Sequence, residues 1–159
     1  MGLIIVAVIG VVYFATKREA AAPVVTYTKP IELCFAKTGQ PNERGYYDKD
    51  TLRLMLDGDN ATGELNLLPA EKDSLVGKFE GTVGAVDKVA MARTANLLWD
   101  TQGEGMNTKQ ELRIVFGEGT AYIGFGEMTD RGDGVYVYKD PAKIDFSLSL
   151  TDVSCSDLK

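Results

Sequence analysis

Histidine is missing from all 159 residues. Its absence removes the usual imidazole metal ligand, the Ser-His and Cys-His nucleophilic pairs, and the commonest general base near neutral pH. Any catalysis would fall to carboxylates, Tyr, Lys or Ser. Positive charge is also scarce: 17 Lys and Arg stand against 23 Asp and Glu, a formal net charge of -6. Setting aside Lys17, Arg18 and Glu19 of the N-terminal stretch, 15 basic and 22 acidic side chains leave -7 on the remainder. A surface of that sign repels phosphate backbones and anionic lipid headgroups, so no nucleic-acid partner is expected. No internal repeat, low-complexity tract, phosphate loop or cofactor motif is present, and neither a catalytic set, a metal site nor a cofactor is expected.

What the chain does have is alternation. Leu112, Ile114 and Phe116 share one face of an arm over 110–116, Ala121, Ile123 and Phe125 share one face of an arm over 120–126, and Gly117-Glu118-Gly119 turns between them. Similar runs recur: 31–36, 51–56 with Leu52, Leu54 and Leu56 inward, 61–68 with Gly63, Leu65 and Leu67 inward, and 75–83 with Phe79 and Val83 inward. A run over 92–99 carries Leu97 and Trp99, and 135–138 and 144–150 complete the set. Gly77, Gly81 and Gly84 suggest bends or close strand approach. Residues 69–74 read as a charged connection with one helical turn, 100–108 as a loop, and 85–91 shows no period. These features predict a mainly β fold, an antiparallel meander of about eight strands forming an up-and-down barrel or curled sheet over residues 31–159.

Residues 1–16, MGLIIVAVIGVVYFAT, carry no charged side chain. As a helix they would extend about 24 Å, slightly short of a bilayer core of about 30 Å. Residues 1–18 are read as an uncleaved anchor helix and 19–30 as a linker, because Pro23 disfavours a helical Ala22. A cleaved signal peptide fits less well, since Lys17, Arg18 and Glu19 separate the apolar run from Ala20-Ala21-Ala22 and no basic region precedes it. Lys17 and Arg18 on the far side would favour a cytoplasmic domain, a conflict that basic residues upstream of Met1 would resolve. The domain is expected on the extracytoplasmic side. Cys34 and Cys155 sit in the first predicted strand and after the last, ends that a closed meander makes neighbours. Two readings stand: a disulfide, or two buried thiols. The apolar start favours the disulfide by suggesting export to an oxidising space.

Several local motifs have plain explanations. Asp57-Gly58-Asp59-Asn60 resembles the start of a calcium loop, but the twelfth position is Leu68, so a hairpin turn is the better reading. Asn60-Ala61-Thr62 matches a glycosylation acceptor, and Arg131-Gly132-Asp133 an adhesion tripeptide within a glycine-rich turn. Glu104, Glu118 and Glu127 lie near the central hairpin and could be imagined as an acid/base set, though solvated surface acids explain them better. Trp99, Tyr122, Phe125, Tyr136 and Tyr138 would line a barrel mouth or, the commoner role of strand aromatics, form core and cross-strand pairs.

Residues 68–74 (LPAEKDS), 77–82 (GKFEGT), Glu104-Gly105-Met106, Phe125-Gly126-Glu127-Met128 and 130–138 together give a pattern of turns. In that pattern the chain resembles small membrane-anchored β-barrel-like proteins of unknown function from reduced-genome, uncultivated bacteria. The resemblance implies a membrane segment, a short linker and a β domain with a cysteine near each end, and it assigns no activity or site residue. The expected function is a membrane-anchored extracytoplasmic β domain, non-enzymatic, that binds a small ligand or an envelope partner. The alternative is a structural or assembly protein, including a pilin-like filament subunit that self-associates through its N-terminal helix. Pilins carry an acidic residue near the start of that helix, which residues 3–15 lack. A carboxylate-dependent hydrolase has least support.

Overall fold

A computed structural model describes residues 29–158. The expected anchor helix, and the linker apart from Lys29 and Pro30, lie outside the described residues. Among the described residues no helix is long and apolar enough to cross a membrane.

Ten strands follow in chain order: β1 (Ile31–Thr38), β2 (Lys49–Asp57), β3 (Asn60–Leu68), β4 (Leu75–Val83), β5 (Arg93–Gly103), β6 (Met106–Gly117), β7 (Thr120–Phe125), β8 (Met128–Asp130), β9 (Val135–Tyr138) and β10 (Asp145–Asp152). Short 3-10 turns occupy Pro141–Lys143 and Cys155–Asp157. Strands β1 to β7 each pair with the next, and β10 pairs with both β7 and β1, closing an antiparallel barrel of eight strands. The remaining hairpin, β8–β9, stands outside the ring and joins it through a short parallel pairing of β9 with β6 at Lys109↔Val135 and Gln110↔Tyr136.

Two-residue turns set the register of two of the long hairpins. Glu104 (φ 50) with Gly105 (φ 75), and Glu118 (φ 48) with Gly119 (φ 78), are both left-handed, the geometry whose twist matches that of the flanking strands. The expected loop over 100–108 therefore contracts to Glu104 and Gly105, with β5 and β6 paired through Gly103↔Met106. It escaped sequence reading because polar pairs such as Asp100↔Lys109 and Gln102↔Asn107 continue the ladder without apolar alternation. The expected helical turn over 69–74 is absent, and the chain bends there over residues 70–72.

Inward residues from every strand of the ring fill the lumen. Leu52, Leu54, Leu65, Trp99, Ile114, Ile123 and Leu150 are fully buried, with Phe35, Phe79, Leu97, Leu112 and Phe116 packed among them. Trp99 satisfies its indole N–H on the Gly77 carbonyl at 3.0 Å. A Cβ on Gly77 would lie 1.9 Å from the Asp100 carbonyl oxygen, so β4 can approach β5 there only without a side chain. Gly81 is confined in the same way, whereas a Cβ on Gly84 would meet the Thr94 carbonyl oxygen at an ordinary 3.7 Å, so no close approach requires glycine there. Phe125, expected inward, points out, because β10 bulges between Asp145 and Leu148 opposite the end of β7.

The ring closes on a thin seam. Strands β1 and β10 share two register pairs, Phe35↔Asp152 and Ala36↔Thr151, extended by one bond from the Val153 N–H to the Cys34 carbonyl. Across that seam Cys34 and Cys155 form a disulfide with Cα atoms 5.1 Å apart. Cys34 points outward from β1 and is buried beneath the C-terminal turn, and Arg53 opposite it on β2 binds both Glu32 (2.5 Å) and the Cys155 carbonyl (3.3 Å). A crosslink between residues 121 apart restricts the unfolded chain by about 5 kcal/mol on the chain-entropy relation. The paired substitution Cys34→Ala, Cys155→Ala is expected to lower the melting temperature of the full chain by about 15 °C or more, followed by far-UV circular dichroism. A drop of only a few degrees would mean that the short ladder holds the seam unaided.

Candidate functional site

The described barrel has two ends. At the entry end lie the start of β1, the Gly58-Asp59 turn, the β4–β5 loop over 84–92, the Glu118-Gly119 turn and the end of β10. The opposite end holds the loop over 39–48, the segment over 69–74 and the Glu104-Gly105 turn.

With the lumen full, the chemistry lies outside. Across β3, β4, β5 and β6, outward side chains form rows fixed by register, three of which follow one another from the entry end. The first is Asn60, Thr82, Asn96 and Arg113; the second Thr62, Glu80, Leu98 and Glu111; the third Glu64, Lys78, Asp100 and Lys109. The third row alternates in sign, extends to Arg53 on β2, and includes a Lys109–Asp100 pair at 3.6 Å. Opposite charges facing across strands each contribute a few tenths of a kcal/mol. The second row places an apolar side chain, Leu98, between two carboxylates. A cleft of about 620 Å³ runs over the first two rows, with Arg131 and Tyr138 of the β8–β9 region along its side. A second cleft of about 620 Å³ lies over the charged row and reaches Gly134.

Tyr138 makes this wall. Strand β6 pairs with β7 over Ile114–Gly117 and with β9 at Lys109 and Gln110, so its outer edge forks between them. Continued antiparallel register would join Arg113 to Gly124 directly. Instead the buried Tyr138 hydroxyl takes both groups, accepting from the Arg113 N–H (3.2 Å) and donating to the Gly124 carbonyl (2.9 Å). Its own N–H donates to Glu111 Oε2 at 3.0 Å. Burial holds the phenol pKa above its ordinary value, so the hydroxyl keeps its proton at neutral pH.

The residues singled out from sequence disperse. Glu104 and Glu118 cap turns at opposite ends, and Glu127 on the side of the barrel pairs with Lys139 at 2.7 Å, so no acid/base set forms. Trp99 and Tyr138 are buried, while Tyr122, Phe125 and Tyr136 are exposed on the outer surface. Within Arg131-Gly132-Asp133 the arginine binds its own aspartate at 2.6 Å, an internal pair that lowers the Asp133 pKa. Gly58 (φ 61) is the left-handed residue of the turn once compared with a calcium loop. Glu32, Cys34 and Cys155 gather within 4.8 Å, but both sulfurs are spent in the disulfide and the carboxylate is held by Arg53. Sequence reading missed the β8 strand and the wall rows, because outward polar residues carry no period of their own.

The fold is thus a closed, filled antiparallel β-barrel with an external hairpin. No family model, no curated protein and no solved structure matches the chain.

Removing the Tyr138 hydroxyl with Tyr138→Phe leaves a backbone donor and acceptor unpaired in the interior of the fork, at a cost of about 1–3 kcal/mol. The expected signature is faster hydrogen exchange at the Arg113 amide together with that loss in a thermal melt; unchanged exchange would show that the strands rejoin. At the far end, Asp50 is raised above 3.8, chiefly by burial and against a hydrogen bond from Leu68. A raised carboxyl contributes stability that is fully present below its unfolded value and lost as pH rises through the folded one. Asp50→Asn is therefore expected to stabilise at pH 7, by less than about 1 kcal/mol, with the advantage vanishing as pH falls toward 3.8. Destabilisation at pH 7 would place the Leu68 bond above the burial cost.

Proposed function

We propose that this protein is a membrane-anchored extracytoplasmic barrel, non-enzymatic, that engages an envelope protein along its outer β3–β6 wall. The observation that carries the reading is the filled lumen: an eight-strand barrel leaves an interior just wide enough for side chains or one small ligand, and here Trp99, Leu52, Leu54, Leu65, Ile114, Ile123 and Leu150 occupy it. The clefts lie outside, where Leu98 between Glu80 and Glu111 offers an apolar contact inside a polar rim, the usual anatomy of a protein interface. Placement outside the cytoplasm draws support from the disulfide and from the uncharged apolar run of residues 1–16. The same filled lumen favours a second reading, a structural or assembly role in which the N-terminal helix is the interface.

Photo-crosslinking separates these readings. A photoreactive residue at Leu98, in the full chain in native membranes, is expected to capture one protein, and Glu80→Lys to reduce capture at least ten-fold. A small molecule retained by the purified full chain in native mass spectrometry, with no capture from position 98, would overturn the wall reading in favour of ligand binding. Loss of self-association in Val8→Glu, with the barrel's thermal melt unchanged and no capture from position 98, would establish the assembly reading instead.

A further inference from the structure

The β4–β5 loop at the entry end is built unlike the other turns. It holds Val86, Val89 and Met91 in solvent, Val89 at 97% of its full exposure. Nothing about the loop is slack. Asp87 Oδ1 accepts from the Val89 and Ala90 N–H groups at 2.8 and 3.0 Å, and the Asp87 N–H donates to the Ala92 carbonyl at 2.8 Å. Arg93 Nε donates to the Gly84 carbonyl at 2.8 Å and closes the base. Met91 is held left-handed at φ 49, a conformation a methionine adopts only when its surroundings impose it. The loop therefore spends bonds and strain to display apolar side chains.

Its position says what they face. The chain enters β1 at this same end, so residues 17–28, reaching at most about 40 Å, would draw the entry end toward whatever holds residues 1–16. We propose that the loop over 86–91 is a second membrane contact, its three apolar side chains seated in a zwitterionic phospholipid surface. This rests on the anchor reading above. The headgroups are zwitterionic because Asp57, Asp59, Asp87, Glu118 and Asp152 outnumber Lys29, Lys88 and Arg93 at this end, and a net acidic face is repelled by an anionic leaflet.

The test uses the full chain reconstituted in phosphatidylcholine vesicles with brominated acyl chains, which quench tryptophan on contact. The native Trp99, 1% exposed in the lumen, gives a constant background. Val89→Trp adds a reporter at the loop, Tyr46→Trp one at the opposite end, and Val8→Trp one in the apolar segment. The added fluorescence is expected to fall by at least half for Val89→Trp and Val8→Trp and to be unchanged for Tyr46→Trp. Quenching at Val8→Trp with none at Val89→Trp overturns the loop contact and leaves the anchor standing. Quenching at Val89→Trp with none at Val8→Trp supports the loop contact and removes the anchor, and no quenching at either overturns both. Replacing a third of the lipid with phosphatidylglycerol is expected to weaken quenching at Val89→Trp; stronger quenching would overturn the zwitterionic assignment.

Discussion

Closure is the constraint on which this molecule depends. An eight-strand sheet without a closed ring leaves two long rows of unpaired backbone groups, and the chain meets that demand with one thin seam between β1 and β10. The seam is short because the last strand ends at Asp152, the residue that pairs with Phe35. The disulfide stands where the ladder stops. Its placement outside the ring, under the C-terminal turn, lets it clamp the two strands without taking space from the lumen. Arg53 then ties the turn's carbonyl to Glu32, so sheet, tail and crosslink form one joint.

The core was legible from alternation wherever a strand buries one face. Leu52, Leu54 and Leu56, Phe79 and Val83, Leu97 and Trp99, and Leu112, Ile114 and Phe116 all point inward as a period of two requires. The proximity of Cys34 and Cys155 followed from closure alone. What stayed hidden shares a physical cause: those features leave no apolar period. The ends of β5 and β6 are polar on both faces, β8 is three residues long, and the bulge that turns Phe125 outward depends on a neighbouring strand far along the chain. The outer rows are invisible for the same reason. Register alone sets Glu80, Leu98 and Glu111 side by side, and register is a property of pairs of strands.

The same alternation that fills the lumen sets the chemistry of the outer wall. Each large inward side chain that closes the interior has neighbours in sequence that point out, so the wall is a read-out of every second residue of β3 to β6. On an ordinary solvated face those positions would be charged or small throughout. Here the charged row alternates in sign from Arg53 to Lys109, and the adjacent row interrupts its carboxylates with a leucine. An alternating ladder beside a leucine flanked by glutamates gives the wall a direction, with one stripe of charges facing opposite charges and the next offering an apolar contact.

The cleft over that stripe exists because β6 forks. A strand that paired with β7 along its whole length would leave no edge for β9, and the wall would be flat where Arg131 now stands. Tyr138 supports the fork where β6 first parts from β7, with its hydroxyl between the Arg113 N–H and the Gly124 carbonyl. Gly124 fits this role because a Cβ there would crowd Ile144 and Phe146 at 2.7 and 3.0 Å. A single phenol thus converts a lost ladder bond into a branch point, and the branch raises the hairpin that gives the outer wall its depth. The wall's shape is therefore tied to the integrity of the fork, so changes at Tyr138 or Gly124 would alter the depth of the cleft as well as stability.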